Sequence, residues 1–213
     1  MKSWLTREDK LKEIVKQSPS KIIPELQLLS EQDWLNAARD AKFGTDEEIR
    51  RTLANVRRSA ENTFVSAAAA AVTKYMKAEN GQFPTELSQL QPYFNAPMDD
   101  AILNRWKIVP QSDLPNQKMG GDWVITEKAP VDRELDGSWA IGPGSYGSSS
   151  YQSADIEAAM MILKSVSKAY AAANNGKEPS DPSQVLPYLV TPEQQAAYQT
   201  FMKKQNATNA PSQ

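Results

Sequence analysis

Tyr75-Met-Lys-Ala-Glu-Asn80-Gly81-Gln-Phe83-Pro84-Thr85-Glu-Leu87-Ser-Gln-Leu90-Gln-Pro92-Tyr93-Phe94-Asn-Ala-Pro97 reads as a helix end followed by a tight return. Asn-Gly after a helix is a stop signal, because glycine takes the left-handed conformation without a Cβ penalty. Pro84 cannot continue a helix, and it drives Phe83 toward an extended conformation. Thr85 predicts the cap of a short helix over Glu86 to Leu90, ended by Pro92. Tyr75, Leu87, Leu90 and Tyr93 are then expected to fold back onto the long helix.

The same plan recurs ninety-five residues later without a gap. Tyr75, Asn80, Gly81, Pro84, Ser88, Gln89, Pro92, Tyr93 and Pro97 return as Tyr170, Asn175, Gly176, Pro179, Ser183, Gln184, Pro187, Tyr188 and Pro192. Ser180 takes the cap position of the second copy. The repeat reads as a duplicated helix-termination motif rather than as a pair of binding surfaces, since apolar residues at helical spacing are ordinarily core.

Upstream, Thr45-x-x-Glu48 is a capping box that opens the main helix. Ile49, Leu53, Val56, Ala60, Phe64, Ala67, Ala71 and Tyr75 come after it at three- and four-residue steps. That is one apolar stripe on a helix roughly 45–50 Å long at 1.5 Å per residue. The alanine run from Ala67 to Ala71 lets another element pack close. Two shorter helices are predicted before it. One starts at Thr6, with Asp9 completing its cap; the other starts at Ser30 and runs to about Lys42.

After Pro97 the period changes to two. Trp106-Lys-Ile108, Trp123-Val-Ile125 and Trp139-Ala-Ile141 each place a Trp and an Ile on one face of a strand. This pattern predicts a three-stranded antiparallel sheet packed across the long helix. The Gly/Ser segment from Gly142 to Ser150 reads as a flexible joint. Asp155 to Ala173 is a second amphipathic helix with Met160, Leu163, Val166 and Tyr170 on one face. Thr191-Pro192-Glu193 starts a last helix with Tyr198 and Phe201 buried, and the residues from about 206 read as a disordered tail. The expected class is therefore α+β, divided as 1–44, 45–147, 148–205 and 206–213.

The chain has 213 residues, a formal net charge of −2, and neither Cys nor His. Those absences exclude disulfides, Cys nucleophiles, His bases and thiolate or imidazole metal sites. The charge balance gives no nucleic-acid signature, and no apolar run reaches membrane-span length. No signal peptide is visible. The chain is expected in the periplasm or cell envelope if an export segment has been removed, and in the cytoplasm otherwise.

Few motifs carry chemistry. Asp132-Arg-Glu134-Leu-Asp136-Gly137 has the alternating carboxylates and the glycine of a calcium loop, but its twelfth position is Pro143. Gly142-x-Gly144-x-x-Gly147 matches a dinucleotide fingerprint without the helix that must come after it. Ser165-x-x-Lys168 and Ser18-x-x-Lys21 lack the supporting motifs of a Ser–Lys hydrolase. Arg50, Arg51, Arg57 and Arg58 form a basic run on the long helix, available to an anionic partner or paired along the helix with Glu47, Glu48 and Glu61. Tyr146 and Tyr151 are expected as exposed aromatics at a partner contact.

The long helix ending in Tyr-x-x-x-x-Asn-Gly-x-Phe-Pro-Thr-x-Leu-x-x-Leu, followed by three strands, resembles the soluble part of type IV pilins and type II secretion pseudopilins over about residues 46–147. The resemblance implies a non-enzymatic structural or protein-interaction module of a bacterial envelope. It also implies a calcium ion near the sheet loops, with Asp132, Glu134 and Asp136 as its ligands. The alternative is a hydrolase or small-ligand-binding protein using carboxylates or a Ser/Lys pair, with Asp132 and Asp136, or Ser165 and Lys168, lining one cleft.

Overall fold

The computed structural model describes residues 2–114 and 117–208. It divides into two compact units, 1–151 and 152–213. The protein is α+β, with a four-stranded antiparallel sheet.

In the first unit, helix α1 covers Lys2–Gln17 and α2 covers Glu31–Asp40, ahead of the spine helix α3, Asp46–Ala78. Helix α1 begins upstream of Thr6, so Thr6 is not its cap; nothing between Lys2 and Thr6 breaks a helix. Ser30 caps α2 reciprocally. Its Oγ accepts from Asp33 N at 3.3 Å, and Asp33 Oδ2 accepts from Ser30 N at 2.9 Å. At α3 only half of the expected box forms. Thr45 Oγ1 accepts from Glu48 N at 3.2 Å, but the Glu48 carboxylate turns to Gly44 N at 2.9 Å. The expected 1–44 extension is not set apart from the rest of the unit: Leu11, Val15 and Ala38 share a buried cluster with Leu53 and Val56 of α3.

The end of α3 is a Schellman closure with asparagine, not glycine, at its first left-handed position. Asn80 has φ 52° and Gly81 has φ 84°, and Gly81 N donates to Met76 O at 2.7 Å. The return is a 3-10 helix, Leu87–Tyr93, that continues through Pro92 instead of ending there. Gln89 Oε1 caps it by accepting from Thr85 N and Glu86 N. Tyr93 meets Tyr75 edge-on at 5.5 Å. Leu90 joins the main core with Phe64, Val65, Ala68 and Val72 of α3.

A short helix α4, Asp100–Leu103, is capped by Asp99, whose Oδ1 accepts from Ala101 N at 2.8 Å. Next in the chain comes the sheet, as β1 Trp106–Pro110, β2 Trp123–Glu127, β3 Gly137–Gly142 and β4 Ser145–Ser150, in that spatial order. Ile108 pairs with Ile125, and Ile125 with Ile141, so the three isoleucines form one row across the sheet. Trp106 and Trp139 are buried in the core with them. Trp106 lies 4.7 Å from the Phe64 ring, between ring centroids.

Two expectations fail here. The Gly/Ser segment is a fourth strand, not a joint. Pro143-Gly144, with Gly144 at φ 73°, reverses the chain in two residues, and Gly147 and Ser148 then pair with Ala140 and Trp139. Trp123 is not buried. It pairs with Pro110, at the last position of β1, and stands 48 % exposed.

The second unit contains most of α5, Tyr151–Ala173, which starts directly after β4. Asn175 has φ 54°, Gly176 has φ 80°, and Gly176 N donates to Ala171 O at 2.8 Å. A 3-10 helix covers Pro182–Tyr188, and Tyr188 meets Tyr170 edge-on at 5.5 Å. Its cap is Asp181, one residue after the expected Ser180, with Gln184 Oε1 accepting from both backbone amides. Helix α6, Pro192–Thr208, includes residues 206–208 of the expected tail; residues 209–213 lie outside the described residues. Val166, Val185 and Tyr198 form a small core, while Met160 stays 54 % exposed. Among the described residues, no helix is long and apolar enough to cross a membrane.

Candidate functional site

Arg50 and Arg57 lie seven residues apart on α3, about two turns, so they share a face. That face meets the acidic turn before β3. Arg50 Nε and Nη2 donate to the two Asp132 oxygens at 2.5 and 2.6 Å, and Nη2 also reaches Glu134 at 2.8 Å. Arg57 Nη2 and Nε donate to Asp136 Oδ1 at 2.6 and 3.1 Å, with both side chains buried. Arg58 Nη2 donates to Leu135 O at 3.1 Å. The turn is closed on itself by Asp132 N, which donates to Asp136 Oδ2 at 2.7 Å.

The two charge motifs of the sequence therefore answer each other. Asp132, Glu134 and Asp136, expected around calcium, accept from guanidinium groups. Arg50, Arg57 and Arg58, expected to face a partner, are spent on that turn; Arg51 pairs with Glu47 at 2.8 Å along the helix. The Arg50 guanidinium holds Asp132 below the usual carboxylate range, and Asp132 and Glu134 in turn raise Arg50. Among the described residues, no group of three or more Asp and Glu is arranged to hold a metal ion.

A second network lies deeper and was not anticipated. Glu25, in the 3-10 turn Pro24–Leu28, accepts from Arg105 Nη1 at 2.6 Å and from the Trp106 indole at 2.8 Å. Glu61 of α3 accepts from Arg105 Nη2 at 3.2 Å and from the Trp139 indole at 3.3 Å. Glu127, closing β2, accepts at one oxygen from Trp139 N at 3.1 Å and from the Tyr151 hydroxyl at 2.9 Å. Its Oε2 is buried with no partner. Two tryptophans thus give their rings to the core and their N–H groups to carboxylates.

Arg105 pairs with Glu25 and Glu61 but not with Glu127, and burial shows in the proton affinities of Glu61 and Glu127. Burial pushes Glu61 up to about 7, against the pull of Arg105. Burial, with Glu61 adding to it, pushes Glu127 up to about 8. Burial and Glu127 raise the Tyr151 hydroxyl. Burial works against the Arg105 charge, but Glu25 and Glu61 together hold its pKa above the ordinary value. Burial thus favours the neutral form of Glu127.

Perturbed carboxylates in a cleft would mark an active site. Here they are sealed. A depression of about 440 Å³ is bordered by Trp106, Lys107 and Lys128, and one of about 230 Å³ by Lys21, Arg50, Arg57 and Asp132. Neither is lined by Glu61 or Glu127. Asp136 does not join Asp132 at the second. Ser165 Oγ donates to Ile162 O on its own helix at 2.7 Å.

Tyr151 is not a surface aromatic, because its hydroxyl is committed to Glu127. Tyr146 is exposed as expected. It pairs with Ile141 and so lies on the core face of the sheet, as Trp123 does two residues before Ile125. The signal for the buried network was available in phase. Glu127 alternates with Trp123 and Ile125, and Glu61 comes one turn after Arg57 on the buried face of α3. Searched against protein-family models, curated proteins and solved structures, the chain matches none.

Proposed function

We propose that the chain is a non-enzymatic, pilin-like interaction module of a bacterial envelope. In this reading the second unit is a partial duplicate of the first. The observation that carries it is the contrast between sealed polar groups and open aromatics. The carboxylates with chemical potential are closed in by arginines, indoles and Tyr151, whereas Trp123 and Tyr146 extend the apolar face of the sheet into solvent. Exposed aromatics of this kind favour protein contact. The pilin likeness is supported by a 33-residue helix that ends in Asn-Gly and lies against an antiparallel sheet. The duplication is supported by matching left-handed Asn-Gly pairs, matching glutamine caps and matching tyrosine pairs. The hydrolase alternative has less support, since its carboxylates and its serine are engaged elsewhere.

A photo-cross-linking residue replacing Trp123 in living cells tests the contact. One discrete adduct is expected, with none from the same residue at Glu79, which is exposed at the end of α3. No adduct from position 123 overturns the reading. Arg50 takes the role that calcium plays in the resembling family, so chelator leaves the melting midpoint unchanged; a lowered midpoint would restore the metal.

A further inference from the structure

The second unit carries an apolar groove of about 290 Å³ between α5, the 180–182 turn and α6. Met160, Leu163, Lys164, Val185, Tyr198 and Phe201 line it. The ninety-five-residue offset maps these positions onto Val65, Ala68, Ala69, Leu90, Leu103 and Trp106. All six of those are buried in the first unit, in one cluster with Ile125, Trp139 and Ile141 of β2 and β3. The second unit keeps the helix, the stop, the return and the short helix, but within 152–208 no strand comes after them. The first unit therefore displays what covers such a face.

We propose that the groove receives an extended segment of a partner protein, carrying alternating aromatic and β-branched residues next to an acidic one. The inference rests on reading residues 152–208 as a partial duplicate. A second copy of this chain is a poor occupant, since its own Ile125, Trp139 and Ile141 are already used against its own α3. The acidic requirement comes from Lys164. It stands exposed in the groove where the first unit has Ala69, and among the described residues it has no ion pair; Asp181, which also lines the groove, accepts from Ser183 instead. The β2 sequence Asp122-Trp-Val-Ile-Thr-Glu127 has the required character, with Trp-x-Ile flanked by two acids.

The test uses the full chain labelled at its methionine methyl groups, titrated with the synthetic peptide of residues 122–127. The Met160 signal is expected to shift saturably, while those of Met76 and Met98 in the first unit stay fixed. Replacing the peptide's Trp and Ile by Ser abolishes the shift. Lys164→Glu weakens binding about two- to five-fold, the range of an exposed ion pair. Met160→Asp, at a half-exposed position that folding tolerates, abolishes binding. No Met160 shift at millimolar peptide overturns the proposal, as does binding that survives Met160→Asp or the serine peptide. Loss of this binding with the Trp123 adduct intact removes the groove alone and leaves the interaction reading standing.

Discussion

The Arg57 and Asp136 side chains are both 2 % exposed and face each other with two donors on one acceptor oxygen. Replacing one partner of such a pair strands the other charge, at a cost of about 3–5 kcal/mol. Arg57→Met is expected to lower stability by that order in urea unfolding. The double variant Arg57→Met/Asp136→Leu is expected to recover much of it, since a packed apolar pair is often neutral against a buried ion pair. An additive double variant would mean that the two side chains are not coupled. The single residues were readable as charge runs, but their pairing was not. It joins positions 79 residues apart, and helical spacing shows only neighbours along the same helix.

Elements were more legible. The limits of α3 come from Thr45 and from Asn80-Gly81, because caps and left-handed residues act within one turn. The fourth strand was hidden because Gly-Ser-Ser-Ser has a linker's composition. What makes it a strand is the Pro143-Gly144 reversal and the row of partners on β3, which is a tertiary effect. For Trp123 the expected face is right but the cover is missing: alternation gives the face of a strand, not how far along it the helix reaches. At the helix ends, Gly81→Ala and Gly176→Ala each put a Cβ on a left-handed residue, at about 1–2 kcal/mol. Two separate unfolding transitions are expected, with Gly81→Ala lowering one and Gly176→Ala the other. A single transition lowered by both would show that the two units unfold together.

For the whole molecule, acid and base act on different groups. Glu61 and Glu127 bind protons more tightly folded than unfolded. Their contribution is fully present below the ordinary 4.5 and is lost as pH rises through about 7 and 8. Asp132 runs the other way: its contribution is present above the ordinary 3.8 and is lost as pH falls below it. The melting midpoint of the first unit, which holds all three groups, is expected to peak at about pH 5 and to decline toward pH 9. Glu127→Gln keeps an acceptor for Tyr151 and flattens the decline. A midpoint independent of pH between those limits would contradict the burial of these carboxylates.

Trp139 touches both titrating groups, through its indole to Glu61 and through its backbone N–H to Glu127. Its excited state therefore sits in a local field that changes whenever either carboxyl gains or loses a proton. The protein thus has a built-in optical indicator: the emission colour of the native state is expected to drift as pH crosses about 7 to 8, and Trp139→Phe to reduce that drift.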